Sequence, residues 1–138
     1  EGCACTMNSI LKQFIKHLTV GDNEVALLDM EAGVEHFGRG VDNSVDLILM
    51  IVDPSFESLK LTKKIQQLGE SIGKPVFFVL NKVNELVLPT MLESIDDQSK
   101  VLAVISTDTE IARKGLLGDE LMMEIPEIHT LARKILKQ

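Results

Sequence analysis

The stretch Val25-Ala-Leu-Leu-Asp-Met-Glu-Ala-Gly-Val-Glu-His-Phe-Gly-Arg-Gly40 gathers more potential chemistry than any other part of this sequence. Asp29, Glu31 and Glu35 offer carboxylates, His36 an imidazole and Arg39 a guanidinium, among Gly33, Gly38 and Gly40. Four apolar residues, 25–28, run into Asp29 without alternation, the pattern of a strand buried on both faces in a parallel sheet. Open parallel sheets do their chemistry in the crevice at the carboxyl ends of their strands, where this run places its ionisable groups. The competing reading is a connection that is polar only because connections usually are.

The rest of the composition narrows the setting. At 138 residues, 45% hydrophobic and 25% charged, the chain is expected to form one α/β domain spanning 1–138 with a real core. A net charge of −7 argues against a nucleic-acid partner, which would require a basic patch. No apolar run reaches the length of a membrane span, so no membrane partner is expected. Two cysteines do not make a secreted disulfide framework, and the expected location is cytoplasmic. A chain opening on Glu1 is expected to be a fragment or a processed product.

Elements that would position these groups follow from periodicity. Over 7–19, Ile10, Leu11, Phe14, Ile15 and Leu18 fall on one helical face. A first strand follows near 25–29. Residues 46–53 make a second buried strand, after which Pro54 and Ser55 open a helix of roughly 55–71. Leu61, Ile65 and Leu68 face inward on it, and Lys60, Lys63 and Lys64 outward. Val76-Phe-Phe-Val-Leu80 is a third strand delivering Asn81 and Lys82, then a helix over 85–97 is interrupted or offset by Pro89. A fourth strand over 100–105 ends in Ser106-Thr-Asp108; a short helix over 110–114 is closed by Gly115. Pro126 starts the last helix, with Ile128, Leu131, Ala132 and Ile135 as its buried stripe. Strands alternating with helices imply an α/β fold, a mostly parallel sheet with flanking helices.

With these residues in place, the chain resembles the CooC-type nickel-inserting ATPases that mature carbon monoxide dehydrogenase, in the MinD-like branch of P-loop NTPases. Residues 29–40 carry the most specific part of the resemblance. Gly2-Cys3-Ala-Cys5 looks like that family's metal-binding Cys-x-Cys, and Asp53-Pro54-Ser55, Asn81-Lys82-Val83 and Ile105-Ser-Thr-Asp108 fall at its nucleotide-loop positions. The resemblance implies catalytic positions at Asp29 and Glu31, and nucleotide contacts at Gly33, Asn81, Lys82 and Asp108. It also implies ATP with Mg²⁺, nickel or zinc on Cys3 and Cys5, a homodimer, and carbon monoxide dehydrogenase as client.

Each implied role has a physical rationale. A carboxylate such as Asp29 can hold a magnesium-bound water, since Mg²⁺ keeps most of its waters and takes hard oxygen partners. Gly33 has no side chain to keep a phosphate from its N–H. Asn81 offers the donor and acceptor that reading an adenine edge needs. Lys82 either packs its stem near the phosphate loop or is a solvated lysine. Asp108 either touches the base or caps a helix. In that loop the related MinD proteins usually have proline where this chain has Ser106. His36 and Arg39 belong to the resembling segment without a derivable role.

The phosphate-binding G-x-x-x-x-G-K-[ST] is absent from the sequence. Gly69-Glu-Ser-Ile-Gly73-Lys-Pro75 comes nearest, but it is one residue short, has Pro in place of the hydroxyl, and precedes a strand. In the family that loop lies far upstream of the Cys-x-Cys, so the chain looks like the C-terminal half of such an ATPase, inactive in hydrolysis alone. Thiolates select soft or borderline metals, and a twofold axis beside Cys3 and Cys5 would assemble four. Alternatively they are two free thiols, since a disulfide across one residue would be badly strained. Two functions remain: part of an ATP-dependent nickel metallochaperone, or a non-catalytic remnant that serves as a partner-binding α/β module.

Overall fold

The computed structural model describes residues 13–15, 17–22, 24–30 and 45–137. From residue 48 onward strands and helices alternate: β1 (Ile48–Val52), α1 (Phe56–Ser71), β2 (Val76–Val83), α2 (Leu88–Glu93), a 3₁₀ turn (Gln98–Lys100), β3 (Val101–Ser106), α3 (Thr109–Leu117) and α4 (Pro126–Ile135). The strands form an all-parallel sheet in the order β1-β2-β3. The expected α/β class therefore holds, and three of the four expected strands are present.

The central strand explains the core. On β2, Val76, Phe78 and Leu80 face one side, packing with Val52, Ile65 of α1, Met91 of α2 and Ile95. Val79 faces the other side, with Leu102, Ala103 and Leu131 of α4. Phe78, Val79 and Leu80 are all 0% exposed. Burial of such side chains contributes about 1.5–3 kcal/mol each. Strand β1 is less enclosed than expected: among the described residues it lies at an edge of the sheet, and Ile51 is 52% exposed.

Helix α1 begins where the sequence places it. Ser55 caps it, its hydroxyl accepting from the Ser58 N–H at 3.2 Å, with Glu57 in the first turn. Ile65 is buried with Leu61 and Leu68 half-buried beside it, while Lys60, Lys63 and Lys64 are exposed, as expected. Thr62 and Gly69 join the buried stripe. The Thr62 hydroxyl donates toward the Leu59 and Ser94 carbonyls at 2.7 and 2.9 Å, which lets a polar group sit in the core. A Cβ on Gly69 would stand 2.2 Å from Val76 Cγ2 and 2.9 Å from the Lys74 carbonyl. Gly73 turns the chain at φ +67°. The segment 69–75 is thus a close helix-to-strand turn, consistent with its rejection as a phosphate loop.

Five expectations need correction. Residues 24–30 form no strand; Val25 and Leu27 are 56% and 84% exposed. A strand needs a neighbour for its backbone groups, and no described strand pairs with this run. In the first helix, 13–15 and 17 are helical, but only Ile15 of the described stripe is buried; Phe14 and Leu18 are exposed. Helix α2 is shorter than 85–97 because Asn84 accepts from the Leu86 and Val87 N–H groups in a turn, and Pro89 then sits in the first helical turn. Helix α3 runs through Gly115 and stops at Gly118, whose φ of +72° supplies the left-handed cap. The last helix starts at Pro126 as expected, yet Ile128 and Ala132 are exposed and Leu131 is its one buried residue.

Candidate functional site

The carboxyl ends of the parallel strands bring Asp53, Asn81, Lys82 and the 106–108 loop to one end of the sheet. Val52 pairs with Leu80, so the next residues, Asp53 and Asn81, lie abreast. The Asn81 amide donates to Asp53 Oδ1 at 2.9 Å, and Lys82 Nζ donates to Oδ2 at 2.5 Å. Lys82 and Asp53 form an ion pair whose side chains are 63% and 38% exposed. Such an exposed pair adds at most about 1 kcal/mol to stability. The Asp53 N–H in turn donates to the Ser58 hydroxyl at 3.1 Å, tying the group to the first turn of α1.

Lys82 has φ +54°, the one positive value at a non-glycine residue among the described residues. That conformation costs a side-chain-bearing residue about 1–2 kcal/mol. It coincides with a break in pairing between β2 and β3: Leu80 pairs with Val104, but Val83 pairs with Ser106. Three steps along β2 thus match two along β3, which is the geometry of a bulge.

Asp108 lies at the end of β3 and caps α3, its carboxylate accepting from Glu110 and Ile111 N–H at 2.7 and 2.9 Å. Of the two readings open for this residue, the structure supplies the cap. A cleft of about 240 Å³ lies beside it, lined in part by Ser106, Thr107, Asp108, Ile111, Met123 and Glu127.

The remaining expected positions do not join this cluster. Asp29 is exposed on the irregular 24–30 segment, so no buried strand carries it. Cys3, Cys5, Glu31, Gly33, His36 and Arg39 lie outside the described residues. Among the described residues no group of three or more His, Cys, Asp and Glu could hold a metal ion, and no helix is long and apolar enough to cross a membrane. The residue that sequence reasoning undervalued is Asp53. Its signal was present: a carboxylate directly ends an apolar run and directly precedes a Pro-Ser helix start.

Among the described residues, a three-stranded parallel sheet flanked by helices with polar groups gathered at its strand ends defines an open α/β architecture, whose ligand crevice lies at the carboxyl ends of the strands. No family model matches the chain. It is 45% identical over 137 residues to an uncharacterised ATP-binding protein of Methanocaldococcus jannaschii, covering 99% of this chain and 55% of that protein. A second such protein of that organism is 32% identical over 127 residues, 90% of this chain and 49% of its own length. The carbon monoxide dehydrogenase accessory protein CooC of Rhodospirillum rubrum is 32% identical over 119 residues, 86% of this chain and 45% of CooC. The chain therefore spans about half the length of the curated relatives it matches. These likenesses support kinship with CooC-like ATP-binding proteins.

Proposed function

We propose that this chain is the C-terminal part of an ATP-dependent nickel metallochaperone serving carbon monoxide dehydrogenase maturation. The observation that carries the reading is the convergence of Asn81 and Lys82 on Asp53 at the strand ends, in a chain whose relatives are named as ATP-binding. Asn81 has an amide N–H and a carbonyl oxygen beyond the N–H given to Asp53, and these suit the edge of an adenine. In this reading Lys82 stands toward the phosphates, Asp108 borders the base, and Gly33 lends its N–H to the terminal phosphate. Asp29 and Glu31 are the catalytic positions. Nickel is cargo, held with zinc as its in-vitro substitute by Cys3 and Cys5 from two chains across a twofold axis.

Without a phosphate loop in its sequence, the chain alone should not hold nucleotide tightly. Calorimetry with Mg·ATP is expected to show no low-micromolar binding, leaving any free energy weaker than about −8 kcal/mol. Metal tests the reading directly. Elemental analysis with sedimentation should find about one Ni²⁺ or Zn²⁺ per two chains in a dimer, and neither metal nor dimer in Cys5→Ser. Uptake should weaken in acid, because the metal displaces protons from the thiols. Equal metal in wild type and Cys5→Ser would end the metallochaperone reading and leave the partner-binding α/β module.

A further inference from the structure

We propose that Asp53 is the positioning residue of the strand-end site, holding two successive side chains of β2 on one side against the alternation of a strand. Consecutive residues of a strand point to opposite faces. Asn81 and Lys82 are consecutive, yet both donate to the same carboxylate. The backbone resolves this conflict at Lys82, where φ +54° and the adjoining pairing break turn the chain out of the regular pleat. Asn81 lies abreast of Asp53 by sheet register alone; Lys82 reaches it with the turned backbone.

Asp53 is itself held. Its N–H donates to the Ser58 hydroxyl, and the Ser58 N–H donates to the Ser55 cap, so the backbone that carries the carboxylate is tied to the start of α1. A left-handed lysine persists only when its surroundings compensate for it. The two hydrogen bonds to Asp53 contribute to that compensation, beside the Thr107 N–H bond to the Val83 carbonyl at 2.8 Å. Because one carboxylate engages both side chains, it also sets which atoms of the Asn81 amide face outward. Ligand contact is made by Asn81 and Lys82, and Asp53 acts through them. That last step rests on the nucleotide reading above; the positioning of the pair does not.

The test uses the ¹⁵N,¹³C-labelled chain by NMR, in the wild type, Asp53→Asn and Asp53→Glu. In the wild type, the Asn81 side-chain amide and the Lys82 side chain should show through-space contacts to the Asp53 methylene. Lys82 should have the carbon shifts of a left-handed residue. Asp53→Asn should move both sets of signals while the cross-strand contacts of Phe78 and Leu80 persist, and Asp53→Glu should restore them in part. Unmoved Asn81 and Lys82 signals in Asp53→Asn would overturn the proposal. If that variant does not fold, absence of the wild-type contacts to Asp53 overturns it equally. Millimolar Mg·ATP is then added to the wild type. A shift confined to Asn81, Lys82 and the 106–108 loop, lost in Asp53→Asn, supports both readings. Asp53-dependent signals that ignore nucleotide sustain the positioning role and count against the nucleotide reading alone.

Discussion

Two apolar runs in this chain look alike and end differently. Residues 25–28 and 76–80 are both unalternating, both are followed by polar groups, and both suit a strand buried on two faces. The second became the centre of the sheet, with Phe78, Val79 and Leu80 fully enclosed. The first is irregular and largely exposed, Leu27 at 84%. Hydrophobicity does not separate them. What separates them is hydrogen-bonding company: β2 has a parallel neighbour on each side, whereas 24–30 has none among the described residues. An apolar run is a strand only where another strand's backbone lies ready to pair with it.

The sharpest way to break that comparison is to truncate both runs. Phe78→Ala should lower the stability of the chain by about 3–5 kcal/mol, since it leaves a cavity at a fully enclosed position. Leu27→Ala should stay within about 0.5 kcal/mol. Urea melts of both variants check this, and a comparable loss at Leu27 would mean that the first run is packed in solution.

A smaller effect tests how closely α1 approaches β2. Gly69→Ala forces a methyl against Val76 and the Lys74 carbonyl, and is expected to cost about 1–3 kcal/mol. Pairing it with Val76→Ala should recover part of that loss, because the nearer of the two clashes is with the valine side chain. Full additivity of the two losses in a double-mutant cycle would contradict the contact.

Next comes the cap at the end of β3. Asp108→Ala should remove about 1 kcal/mol by freeing the Glu110 and Ile111 N–H groups, with Asp108→Asn nearly neutral. The ordering of that pair in thermal melts distinguishes capping from a purely electrostatic role. Smallest of all, Gly115→Ala should stabilise α3 by about 0.5–1 kcal/mol, as a Cβ there meets nothing within 4 Å. A loss instead would indicate that this helix face is covered in solution.

The site shows the same division as the two apolar runs. Asn81 and Lys82 were legible as a pair at a strand end, and Asp108 as either a cap or a contact. Their relation to Asp53 was not, because 28 residues separate Asp53 from Asn81. Alternation also predicts that neighbouring side chains diverge. The apolar run before Asp29 predicts a strand end there, and that run is not a strand.

What the sequence determined by itself is local. Pro54-Ser55 and Pro126 as helix starts, and the apolar runs of β1, β2 and β3, each depend on residues within a few positions. Helix hydrogen bonds close within four residues, so their signals travel with the chain. Only the tertiary structure decided which apolar run entered the sheet, why Gly69 must lack a side chain, and how Lys82 turns back toward Asp53. Those outcomes depend on partners far along the chain, whose backbone groups and side chains meet only after the strands have paired.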